Sequence, residues 1–255
     1  MPKNARHARR HPCRALGRAW HGFRVGCLVA AAGPLHLAGQ AAPASVRLDE
    51  GSFTLLADGR RIGREQFSLL RRVSPEGLLF EVRSESAVDD RRRAMRLEAD
   101  SAGTPLRFSL EEQQGTELAL RLGGQRLRGR FSTLARSQTG EAAREYLLRP
   151  GAVIVEDEGI AHHLLLVRDR RLAAGDGITL PSLTPSANTQ GVVRIVLESA
   201  TDTVAVGGTR RSARRWRIVT GGGEVRQLWA DAEGRLLQLR IPARGLEARR
   251  DDAPR

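Results

Sequence analysis

The sequence predicts a mainly β protein: a single large antiparallel sheet curled into a half-barrel or barrel, with one helix over about 157–172 packed on or plugging it. Three observations carry that expectation. From Ser52 onward apolar and polar residues alternate with a period of two, the pattern of half-buried antiparallel strands. Turn signals interrupt the alternation at hairpin spacing. A single stretch, Glu156 to Leu172, follows helical spacing instead.

The elements follow in chain order. Lys3, Arg6, Arg9, Arg10, Arg14, Arg18 and Arg24 precede the first acidic residue, Asp49. An apolar run, VGCLVAAA over 25–32, comes next and ends in small residues, Gly39-Gln40-Ala41 and Ala42-Pro43-Ala44. A basic start, a short apolar centre and a small-residue exit define a secretory signal peptide over 1–44, cleaved near 41 or 44. The expected location is therefore exported: periplasmic or extracellular, in the bacterial envelope. The apolar run is shorter than the ~20 residues a spanning helix needs, so no transmembrane span is expected in the mature protein. Arg9-Arg10 lacks the apolar residues that would follow a twin-arginine signal. Cys13 and Cys27 both lie in this presequence, and Cys27 opens the apolar run instead of closing it as a lipobox would. The mature chain then has no disulfide, thiol nucleophile or thiolate metal site.

Residues 45–255 read as one β-rich domain. Met95, Leu97 and Ala99 alternate with charged residues, and Leu106, Phe108 and Leu110, and later Leu237, Leu239 and Ile241, with charged or polar ones. Arg126, Arg128 and Arg130 alternate with Leu127, Gly129 and Phe131. Turns are expected at Asp58-Gly59, Pro75-Glu76-Gly77, Ala102-Gly103, Gly123-Gly124, Gly207-Gly208, 221–223 and 231–234. None precedes Lys-Ser/Thr or opens a helix, so none reads as a phosphate loop. In the helical stretch Ile160, Leu164 and Val167 share one face. Asp157 can cap it, and Arg168, Arg170 and Arg171 complement its negative end. Pro181 and Pro185 mark a loop or edge-strand crossover before strands resume at Val192. Roughly ten strands at ~4.8 Å spacing span about 48 Å, whereas a helix is only ~10 Å across. One helix cannot cover such a sheet, so the sheet must curl.

Charge qualifies this picture without changing it. The chain carries 42 Lys plus Arg against 29 Asp plus Glu, a net +13, with a pI near 11.4. Seven of those positive charges belong to the presequence, where they serve export. The remainder of the chain keeps about +6, with every basic residue an arginine. These arginines fall largely on alternating strand positions among many acids, which describes a solvated face and no nucleic-acid partner.

Two segments carry a family resemblance. GSFTLLADGRRIGREQF over 51–67 resembles the opening of a group of uncharacterised exported bacterial β-proteins, a domain of unknown function. LWADAEGRLLQL over 228–239 is similar to that group's penultimate hairpin. The resemblance covers most of 51–252. It implies a fold like the half-barrel lipoprotein carriers LolA and LolB, which shelter acyl chains in a concave sheet closed by helices.

Candidate chemistry is sparse. There is no Gly-x-Ser-x-Gly elbow, and His162 and His163 are the mature chain's two histidines. Adjacent helical positions point about 100° apart, so one should pack inward and the other face solvent. They stand as weak polar candidates, with no catalytic, metal or cofactor site expected. Phe80, Phe108, Phe131, Trp216 and Trp229 are the candidate lining of an apolar cavity, with core packing as the alternative for each. The functional expectation is a non-enzymatic envelope protein binding lipid or another apolar or amphipathic ligand in its curled sheet. Two alternatives stay open: an interaction or scaffold protein with a packed interior and an envelope protein partner, and a hydrolase with an unrecognised site.

Overall fold

The computed structural model describes residues 45–75 and 77–254; the expected signal peptide over 1–44 lies outside the described residues. Eight strands form an antiparallel meander: β1 (Ser45–Ala57), β2 (Arg60–Ser74), β3 (Gly77–Val88), β4 (Arg91–Asp100), β5 (Pro105–Gln114), β6 (Glu117–Leu127), β7 (Arg130–Ser137) and β8 (Gly140–Leu147). A short strand, β9 (Val153–Ile154), leads to a 3₁₀ turn at Ala161–His163 and a one-turn helix, α1 (Leu164–Val167). The chain then returns through β10 (Gly177–Thr184), β11 (Thr189–Val206), β12 (Thr209–Thr220), β13 (Val225–Ala230), β14 (Leu236–Ile241) and β15 (Leu246–Arg250).

These strands make one sheet in the order β8-β7-β6-β5-β4-β3-β2-β1-β15-β14-β13-β12-β11-β10-β9. The mainly β expectation holds, with two corrections. The described residues form fifteen strands, not about ten, because several carry no alternation to read: β8 buries Tyr146 and nothing else. The sheet is also mixed, since β9 pairs with β10 in parallel.

Laid flat, fifteen strands would span about 70 Å. The strand at one end nevertheless reaches a hairpin near the other. The Tyr146 hydroxyl on β8 hydrogen-bonds Asn188, in the β10–β11 turn, at 2.5 Å, and Gln190 Nε2 on β11 donates to the Leu147 carbonyl. Side chains thus link the β8 edge to the β10–β11 hairpin near the other end of the sheet, which is strongly curved without its ladder closing.

The expected helix over 157–172 is corrected. Gly159 has φ +104°, outside the helical range, and Arg168 leaves the helix at ψ 140°. Eight consecutive residues, Ile160–Val167, are buried, so no solvent-facing stripe exists to support the amphipathic reading. The segment is a short plug held by its surroundings, not a self-sufficient helix.

Gly123-Gly124 is likewise not a turn but lies within β6. A Cβ on Gly124 would sit 2.5 Å from the Phe131 ring, so the glycine makes room for an aromatic on the neighbouring strand. The hairpin turns at Arg128-Gly129, both with positive φ, which also interrupts the alternation expected across 126–131.

The N- and C-terminal strands meet at the β1–β15 pair. Arg250 is buried there and makes a forked contact with Asp49, 2.7 and 2.9 Å, while its guanidinium lies 5.2 Å from the Phe67 ring centroid. On the opposite sheet face, Glu81 and Glu98 are nearly covered by Arg72, Arg83, Arg96 and Arg107. Burial alone would raise the Glu81 carboxyl, but hydrogen bonds from Arg83 and Arg96 hold it below its ordinary value. The arginine-rich face is therefore a network of ion pairs.

Candidate functional site

Inward-facing strand positions are apolar almost throughout, so the charged residues among them stand out. Glu65 shares the inward register of Phe67 and Leu69 on β2. Arg226 shares that of Leu228 and Ala230 on β13. Both are essentially inaccessible, and both grip the plug.

Glu65 accepts the backbone N–H groups of Ile160 (2.9 Å) and Ala161 (2.8 Å), tying the start of the 3₁₀ turn to the wall. Burial pushes its carboxyl above the ordinary value; the amide bonds, the Ser84 hydroxyl and Arg93 oppose that shift. Arg226 reaches the same segment from the other side. It donates to the Glu156 carbonyl (2.7 Å), His163 Nε2 (2.8 Å), Asp157 (3.1 Å) and Glu224 (2.8 Å). Glu156, also buried, accepts hydrogen bonds from the Ser186 amide and hydroxyl, and burial raises its carboxyl.

His162 and His163 lie together, ring centroids 4.1 Å apart, and both are fully buried. The expectation of one inward and one solvent-facing ring is corrected: the plug has no solvent side here. Their partners fix the tautomers. A carbonyl can only accept and a guanidinium only donate, so His163 carries its proton on Nδ1 toward Ile160 O and accepts from Arg226 at Nε2. His162 Nε2 accepts the Glu156 amide at 3.0 Å, leaving Nδ1 protonated and without a protein partner. Burial, with the nearby Arg226 charge, pushes His162 down to about 3 and His163 well below its ordinary value.

Both histidines are therefore neutral in the folded protein and take up protons once unfolded. A base with a lowered folded pKa contributes stability above its unfolded value, near 6.5, and that contribution is lost as pH falls. Glu65 and Glu156, with raised values, act in the opposite sense, so the histidine effect is read as a difference. Relative to His162→Gln, which keeps an acceptor for the Glu156 amide, wild type should lose about 1.36 kcal/mol per pH unit between about pH 6 and 4. Urea denaturation across that range measures it; parallel curves would contradict it.

Beside the plug lies a cleft of about 260 Å³. Leu55, Ile62, Val88, Ile160 and Leu246 provide apolar walls, and Glu65 forms part of its lining. Arg91, Arg93, Arg244, Glu112 and Glu158 provide its charged margin. Arg91 and Arg93 both hold Glu112, at 2.6 and 2.7 Å, and both contact Glu158 Oε2, at 2.9 and 3.0 Å. Arg244 instead pairs with Glu224 and Asp157.

The five aromatics singled out from the sequence do not line this cleft. Phe80, Phe108, Phe131 and Trp216 pack in the main core. Phe80 also borders a separate cleft of about 300 Å³, with the Arg168 guanidinium 5.2 Å from its ring centroid. Phe108 borders an open groove beside Gly123 and Gly124. Trp229 belongs to a different cluster with Val204, Val206, Ala213 and Leu237, and donates to Asp202. Glu65 and Arg226 went unnoticed in sequence although their signal was present: a charge at an inward strand position. Among the described residues no group of three or more His, Cys, Asp or Glu is placed to hold a metal ion.

Comparison with known proteins adds little to this geometry. No family model matches the chain, and no curated protein matches it. Among solved structures, the crystal structure of a DUF1089 family protein from Pseudomonas aeruginosa is similar at 14% identity and a TM-score of 0.39, covering 77% of this chain and 89% of that one.

Proposed function

We propose that this is an exported, non-enzymatic protein of the bacterial envelope that binds a small apolar or amphipathic ligand in the cleft between the plug and the β1–β4 wall. The observation that carries this reading is the cleft's composition: continuous aliphatic walls met by a few charged groups at one margin, the usual make-up of a small-ligand site. Both histidines are committed to holding the plug, which supports a binding role over catalysis. At about 260 Å³ the cleft suits a ligand smaller than a typical drug-sized molecule. The test is native mass spectrometry of the purified chain, with uptake of a fluorescent fatty-acid probe. Retained or acquired ligand is expected, and Val88→Trp, which fills the cleft, should abolish uptake while lowering stability by no more than about 1–3 kcal/mol. No bound lipid and no uptake would count against the reading.

A second reading has its own support. The plug is buried over Ile160–Val167, and the β9 segment leading to it over Ala152–Glu156, which favours a scaffold or interaction protein with a packed interior. Probe uptake unaffected by Val88→Trp, or absent altogether, would favour it.

A further inference from the structure

Resting on the cleft reading above, we infer that the ligand is a monoanionic amphiphile, a carboxylate on a short apolar chain, and that Glu158 occupies its headgroup position until the ligand displaces it. Glu158 extends from the plug onto the cleft margin and places one carboxylate oxygen between two guanidinium groups, 2.9 Å from Arg91 and 3.0 Å from Arg93. That is the seat a ligand carboxylate would take, and apolar walls begin next to it at Ile160, Ile62 and Val88.

Two features make Glu158 the displaceable partner. Its side chain is 49% exposed, against 15% for Glu112, which holds the same arginines from β5. A half-exposed ion pair is worth little, so exchanging it for an equivalent carboxylate costs little. Charge then sets the ligand's valence. Glu158 contributes one negative charge to Arg91 and Arg93, so when it swings away a single ligand carboxylate restores the charge that leaves with it. Arg244 is satisfied by Glu224 and Asp157, and Glu65 already accepts from backbone amides, so neither asks for a second charge.

The test is calorimetric titration of wild type, Glu158→Gln and Arg91→Gln with octanoate and with 1-octanol. Glutamine keeps the size of Glu158 and removes its charge. Octanoate should bind Glu158→Gln roughly two- to fivefold tighter than wild type, with octanol unchanged. Arg91→Gln should weaken octanoate and leave octanol unaffected. Octanol binding with no gain for octanoate in Glu158→Gln would overturn the headgroup assignment while leaving the cleft reading intact. Equal tightening of both ligands would overturn it too, since charge would not be the cause. Binding of neither ligand to any variant would remove the cleft reading, and this inference with it.

Discussion

Arg226→Met is expected to destabilise the protein by about 3–5 kcal/mol, lowering the urea midpoint at an unchanged m-value. Methionine fills similar space, so the loss comes from hydrogen bonding and charge. Removing the guanidinium strands the Glu156 carbonyl and His163 Nε2, two buried acceptors that no water reaches. Each such orphan costs about 1–3 kcal/mol. Glu224 and Asp157, which keep solvent access, add less. For a domain of this length the change corresponds to roughly 10 °C in Tm. A loss below about 1 kcal/mol would show that the plug is held by apolar packing and that Arg226 is incidental.

The second large effect is expected where β1 and β15 pair. Asp49→Ala should cost about 3–5 kcal/mol by leaving Arg250 charged and buried without its carboxylate. The carbonyls of Glu50, Leu236 and Asp252 that also accept from Arg250 cannot neutralise it. Removing both partners should be far milder. Asp49→Leu with Arg250→Met leaves no stranded charge, and buried pairs replaced by apolar groups are often neutral or better. The double-mutant cycle should therefore show strong coupling; additive losses would mean that the two residues act separately.

These sites show what the sequence made legible. Period-two alternation identified the β class and the need to curl, because a sheet that buries one face writes that face into every second residue. It undercounted strands such as β8, where a single buried residue leaves no pattern. The segment over 157–172 misled for a complementary reason. Helical spacing at Ile160, Leu164 and Val167 was real, but burial on every side and the positive φ of Gly159 replaced an amphipathic helix by a short plug. Gly123-Gly124 looked like turn chemistry and proved to be a packing allowance for Phe131. The candidate cleft was the least legible feature. Its walls come from β1, β2, β3, the plug and the start of β15, brought together only by the curl. The aromatics that seemed suited to a cavity pack instead in the main core, or for Trp229 in a separate cluster.

The central claim is that a ligand enters beside the plug and not the packed interior. Amide and methyl NMR shifts on titration with octanoate test it most directly, because they report where binding occurs. Saturable shifts confined to Ile62, Val88, Ile160 and Leu246, with Phe131 and the Trp216 indole unmoved, are predicted. An absence of shifts, or shifts centred on Phe131 and Trp216, would contradict it.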